Sequence, residues 1–153
     1  EPHDHTALNH WGVVLGMWAR CKRGKAANGL FEEAIKKYDL ALERKPDCHQ
    51  ALNNWGVALM ELAKRSEGKE AEDSLLEALE KWLQAEKIRP GSAAYNMACI
   101  YGVLGQPEDC LKWLNISQKH GKLPSRSDIE KDFGLASMRA VPAFQAWLKT
   151  VVD

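Results

Sequence analysis

Apolar residues recur three to four positions apart through most of the chain. Leu8, Trp11, Gly12 and Leu15 share this spacing, which places them on one face of a helix. Leu52, Trp55, Gly56 and Leu59 do the same. Each block is followed by a second helical pattern, Ala34, Tyr38 and Ala41, then Ala78, Trp82 and Ala85. Gly24 and Gly68 lie near the breaks between the patterns. Pro46 and Pro90 end the second ones, because proline cannot continue a helix interior. Small residues let two helices approach and large aromatics fill the space between them. Gly12 and Ala34 beside Trp11 and Tyr38 therefore predict an antiparallel helix pair, with Trp11 in its core.

The two blocks are copies of each other. His5-Thr-Ala-Leu-Asn-His-Trp-Gly-Val-Val-Leu15 returns as His49-Gln-Ala-Leu-Asn-Asn-Trp-Gly-Val-Ala-Leu59. At an offset of 44 residues, eighteen positions are identical, Pro2 and Pro46 among them. That number is too large for an accident of composition and marks an internal repeat. Trp11-Gly12, Ala34, Tyr38, Ala41 and Pro46, with their second-copy counterparts, resemble the tetratricopeptide repeat. Tyr95-Asn-Met-Ala98, Tyr101, Gly105, Cys110 and Leu114 look like a third unit, near the family's usual length of about 34 residues. The first two units exceed that length by about ten residues, which predicts longer helices at the ends that meet at the turn.

The resemblance implies an all-α, TPR-like helical-hairpin solenoid forming one domain. Its three units cover about 5–46, 47–90 and 91–122, with a helical cap over 123–153. Glu1-Pro2-His3-Asp4-His5 is in phase with Lys45-Pro46-Asp47-Cys48-His49, so the segment is expected to belong to a longer array. In the tail, Ser127-Asp-Ile-Glu130 reads as a capping box and Pro142 as a helix start. Phe144, Trp147, Leu148 and Val151 supply one apolar face, suited to covering the open end of a solenoid. The tail is similar to the closing segment of many bacterial tetratricopeptide arrays.

In such folds the first helices of successive units line a concave groove. By resemblance, the groove residues are Asn9, His10, Val13 and Met17 in the first unit. In the second they are Asn53, Asn54, Val57 and Met60, and in the third Tyr95, Asn96, Cys99 and Val103. Asparagine amides both donate and accept, so they suit a peptide backbone, and valine and methionine add apolar contact. The function implied is a protein–protein interaction scaffold that binds a partner peptide or helix. The alternative is a scaffold that self-associates through its repeat ends. Residues 1–46 carry eight basic against six acidic residues and residues 47–90 six against nine, an asymmetry that favours head-to-tail contact weakly. One family variant clamps the C-terminal carboxylate of chaperones with lysine and arginine. Here Thr6 and His10, Gln50 and Asn54, Ser92 and Asn96 occupy those places, so its cations are missing.

Composition narrows the rest. The 153 residues include 21 Lys/Arg and 21 Asp/Glu, a net charge of zero, which gives no basic footprint for nucleic acid. No apolar run approaches the ~18 residues of a membrane span. No leader pattern opens the sequence, and a leader cleaved before Glu1 is left open. Cys21, Cys48, Cys99 and Cys110 have no zinc-site spacing and read as free thiols of a cytoplasmic protein.

Candidate chemistry is sparse. His3, His5 and His10, with Asp4, could hold a transition metal, but His5 recurs as His49 where no cluster exists, which favours a role at the helix entry. Asp132-Phe-Gly134 copies a kinase triplet without its companion motifs, and Gly24-Lys25 and Gly68-Lys69 lack the rest of a phosphate loop. Asn115-Ile-Ser117 is a glycosylation sequon in a helix that packs. No nucleophile–base set emerges, so neither an enzyme nor a cofactor is expected. The six tryptophans read mainly as core. Trp18, whose counterpart is Leu62, is the one whose exposure would mark a contact.

Overall fold

A computed structural model describes residues 4–152. Among them the regular structure is entirely helical, and the helices pack in adjacent pairs. The chain divides into two compact units, Glu1–Arg89 and Pro90–Asp153.

The first unit holds α1 (His5–Arg20), α2 (Gly24–Arg44), α3 (His49–Ala63) and α4 (Gly68–Ile88). α1 pairs with α2 and α3 with α4, while α2 also packs along α3. The two hairpins turn in the same way. The residue before each second helix is extended, Arg23 at φ −131°, ψ 159° and Glu67 at φ −131°, ψ 161°. Gly24 and Gly68 follow at φ 57° and 59°, a left-handed conformation that only glycine adopts at little cost. The inserted residues are helical, not loop. α2 and α4 each run 21 residues, whereas α6 of the second unit runs 13.

Close approach within each hairpin rests on a glycine facing an aromatic ring. A Cβ on Gly12 would overlap the Tyr38 ring, and one on Gly56 would lie 2.5 Å from Trp82. Tyr38 and Trp82 are buried, and the Trp82 indole N–H donates to the Asn53 carbonyl at 3.0 Å. The stripe of α1 that faces α2 is Leu8, Gly12, Leu15 and Ala19. Trp11 lies at the edge of that stripe, about 40° round the helix from Leu15 and about 100° from Gly12.

Trp11 is accordingly 49% exposed, which corrects its assignment to the core. Trp55 is half-buried. Their rings carry lysines from the second helices, Lys37 at 3.9 Å from Trp11 and Lys81 at 4.0 Å from Trp55. Among the tryptophans, Trp82 and Trp147 are buried and Trp18 is exposed.

The second unit holds α5 (Ala94–Val103), α6 (Pro107–Lys119), α7 (Arg126–Lys131), a 3₁₀ helix (Phe133–Ala140) and α8 (Pro142–Leu148). α5 pairs with α6, the 3₁₀ helix packs on α5, and α8 packs on the 3₁₀ helix and α6. Phe144, Trp147 and Val151 are buried, and the Trp147 indole donates to the Asn115 side chain at 3.1 Å. The sequon is thereby closed in the folded state, since Ser117 is fully buried. The N-cap of α7 is Ser125, two residues before the expected capping box. Its Oγ accepts from the Asp128 N–H at 3.2 Å, while Ser127 instead accepts from Lys131 Nζ. The Ser125-x-x-Asp128 sequence fits a cap as well as Ser127-x-x-Glu130 does, and spacing alone does not choose between them.

Candidate functional site

In the first unit, the inner surfaces of α1 and α3 bound a hollow of about 100 Å³. Val13, Gly16, Met17 and Arg20 of α1 form one side, and Asn54, Val57 and Ala58 of α3 the other. Phe31 and Tyr38 of α2 complete the lining. Helical spacing explains the set. Val13, Gly16, Met17 and Arg20 lie at steps of three and four, one residue round from the stripe that packs on α2.

Four of the groove residues expected from sequence, Val13, Met17, Asn54 and Val57, line this hollow together. The others of the first unit surround it in different ways. Asn9 is buried, at 8% exposure, and its Oδ1 accepts from Asn54 Nδ2 at 2.9 Å. The two amides thus join α1 to α3, and part of the hydrogen-bonding capacity expected to face a peptide is used between them. His10 is exposed, whereas Asn53 and Met60 are half-buried. The Asn53 backbone carbonyl is the acceptor for Trp82.

Gly16, Arg20, Phe31, Tyr38 and Ala58 were not expected in this site. Gly16 carries a readable signal. Its counterpart in the second copy is Met60, so α1 is smaller at that point than the repeat pattern provides. A Cβ at Gly16 would meet nothing within 4 Å. Gly16 thus lines the hollow without a side chain to occupy it.

Charge lies at one end only. Arg20 reaches Glu61 at 3.8 Å, and Glu61 also pairs with Lys64 at 3.4 Å and Arg65 at 2.9 Å. Burial pushes the Glu61 carboxyl up, but the Arg65 hydrogen bond and the Lys64 and Arg20 charges outweigh it and hold it below its ordinary value. Burial pushes the Tyr38 phenol up to about 12, with Arg20 pulling it back. The hollow is therefore lined by neutral, mostly apolar groups, with one cation at the rim already paired.

The second unit treats its four expected residues differently. Tyr95 and Cys99 point to Asp132, at the junction of α7 and the 3₁₀ helix. The Tyr95 hydroxyl donates to Asp132 Oδ2 at 2.9 Å, and Cys99 Sγ lies 3.7 Å from the same oxygen. Asp132 Oδ1 accepts from the Gly134 N–H at 2.8 Å. Ser137 donates to the Gly102 carbonyl, and a Cβ on Gly102 would overlap the Gly134 carbonyl. These bonds seat the C-terminal segment on α5. Asn96 is half-buried, and Val103 is 40% exposed. Burial, then the Asp132 charge, raises the Cys99 thiol well above its ordinary value, and burial pushes Cys110 up to about 12. Both stay protonated near neutrality, the unreactive form of a thiol.

His5 and His49 open α1 and α3, as expected of a helix-entry role. His5 Nδ1 lies 3.0 Å from Asp4. His3 lies outside the described residues. Among those described, no three of His, Cys, Asp and Glu are grouped to hold a metal ion. None of their helices is long and apolar enough to cross a membrane.

Compared with known proteins, the chain matches no family model and no curated protein.

Proposed function

We propose that this chain is a tetratricopeptide-like interaction module that binds a peptide of another protein at the hollow between α1 and α3. The observation that carries the reading is that four residues picked for groove binding, Val13, Met17, Asn54 and Val57, line one hollow with a missing side chain at Gly16. The solenoid reading is supported by the hairpins themselves. The first two share a turn geometry and a glycine-on-aromatic contact, and each begins at a histidine followed by the same apolar block.

The size and chemistry of the hollow suit one apolar side chain of the peptide. At about 100 Å³ it is well below the ~300–1,000 Å³ of sites that enclose drug-sized ligands and cofactors. Asn54 stands beside it with capacity beyond its bond to Asn9, since an amide offers two donors and an acceptor. It is placed to hold the peptide backbone while the hollow takes the side chain. No catalytic role enters this reading. The polar side chains that line the hollow are Asn54, Arg20 and Tyr38, whose phenol is pushed by burial up to about 12.

The test is peptide-display selection on the intact chain, followed by fluorescence anisotropy of the selected peptides. Val57→Glu puts an unpaired charge into the hollow and should weaken binding at least about tenfold. Selected peptides that bind Val57→Glu as well as they bind the parent chain would locate the site elsewhere.

A further inference from the structure

Arg20 closes one end of the hollow, at the C-terminus of α1. Its charge reaches the floor, where it opposes the effect of burial on the Tyr38 phenol. The 44-residue correspondence shows what sets this cation apart. In the second copy the counterparts of Met17 and Arg20 are Glu61 and Lys64, three residues apart on one helix and 3.4 Å from each other. In the first copy a methionine replaces the acid of that pair, and α1 carries no acidic residue at any position. Arg20 turns instead to Glu61 of α3, at 3.8 Å, which is beyond hydrogen-bonding distance.

Glu61 does not depend on Arg20. Arg65 holds one carboxylate oxygen at 2.9 Å and also donates to the Glu61 carbonyl, while Lys64 lies 3.4 Å from the other oxygen. Three cations thus share one carboxylate. The Arg65 guanidinium also covers the ring of Phe31, a residue of the lining, at 4.9 Å. The chain continues as Arg20-Cys-Lys-Arg-Gly-Lys25, four cations and no acid. In a chain of zero net charge, this end of the hollow is locally basic. The Arg20 side chain remains 53% exposed, so a second carboxylate can reach it from solvent.

We infer that the peptide bound at the hollow carries an acidic side chain beside its apolar anchor, and that Arg20 receives it. The inference rests on the peptide-binding reading and adds the chemistry of the partner. The spacing follows from geometry. α1 rises about 6 Å from Gly16 to Arg20. An extended peptide running along α1 covers roughly that distance in two residues, and side chains two apart point the same way. The recognised element is an apolar residue and an Asp or Glu separated by one position. A guanidinium can take such a carboxylate through two parallel N–H bonds, a geometry that lysine lacks.

The probes are display-selected peptides, synthesised with amidated C-termini so that every carboxylate is a side chain's. Gly16→Met fills the hollow without changing charge, so it identifies the peptides that bind there. Those peptides should be enriched in Asp or Glu two positions from an apolar residue. Replacing that acid by its amide should weaken binding at least about fivefold, and so should Arg20→Gln in the chain. The two changes together should cost little more than either alone, the signature of a direct pair. Added salt should weaken binding to the parent chain more than binding to Arg20→Gln. Arg20→Gln should melt like the parent, since its side chain is half-exposed and Glu61 keeps two partners. Lys22→Gln, which removes a cation outside the lining, should bind normally. Peptides that Gly16→Met excludes but that carry no such acid, or that bind Arg20→Gln as well as the parent, would overturn the inference and leave the hollow as the site. An equal loss in Lys22→Gln would also overturn it, by showing attraction to the basic run as a whole. Peptides indifferent to Gly16→Met would overturn both readings.

Discussion

Trp82 and Trp11 show how one residue type serves two roles in neighbouring helices. Trp82 is fully buried, fills the space above Gly56 and satisfies its indole N–H on the Asn53 carbonyl. Trp82→Ala should cost about 3–5 kcal/mol in urea denaturation. Trp11 is half-exposed beneath Lys37, so Trp11→Ala should cost roughly 1 kcal/mol or less, mainly the lost cation–π contact. Trp11 and Trp55 matched the apolar spacing of Leu8 and Leu15, so periodicity placed them in the core. Periodicity does not separate a residue on the packing stripe from one at its edge when both are apolar. At Glu61 the expected effect is one of pH. Its folded carboxyl titrates below the ordinary 4.5, so its ion pairs stabilise the fold above that value and the contribution is lost as pH falls through the folded pKa. Melting curves of the parent chain and Glu61→Gln should differ at neutral pH and converge below pH 4.5. A gap that widened in acid would contradict the sign.

The helices and their breaks were the most legible elements. Gly24 and Gly68 mark the turns, Pro46 and Pro90 follow the ends of α2 and α4, and Pro142 opens α8. The extra residues of the first two copies were expected from unit length to extend the helices at the turn, and Ala27 carries the helical spacing of Ala34 and Ala41 into that extension. How tightly each hairpin closes was visible only as small residues beside large aromatics, and the structure pairs Gly12 with Tyr38 and Gly56 with Trp82. The distances turn that pairing into a prediction. Gly56→Ala would drive a methyl group to within 2.5 Å of the Trp82 ring and should destabilise by about 1–3 kcal/mol in chemical denaturation. The seating of the C-terminal segment was not legible. It depends on Tyr95 and Cys99 meeting Asp132, residues 37 and 33 positions apart with no repeat to relate them. Tyr95 and Cys99 therefore read as groove residues from sequence, whereas Asp132 engages both.

For the molecule as a whole, the proposed binding site depends on a departure from the repeat, not on the repeat itself. Eighteen identical positions describe the scaffold. Gly16 lines the hollow where the second copy has Met60, and a Cβ there would enter open space. Four of its lining residues followed from register, but its depth depends on Phe31 and Tyr38 of α2, which sequence spacing assigns to packing alone. The substitution Gly16→Met separates scaffold from site, because its two effects have opposite signs. It replaces a helix-interior glycine with a good helix former, and its Cβ enters open space, so stability should rise by about 0.5–1 kcal/mol. It also fills the hollow with the side chain that the second copy carries. The decisive measurement is a calorimetric titration of a display-selected peptide into the parent chain and into Gly16→Met, with both melting temperatures recorded. A higher melting temperature together with an affinity at least about tenfold weaker is the predicted result. Unchanged affinity in a more stable Gly16→Met chain would contradict binding at the hollow.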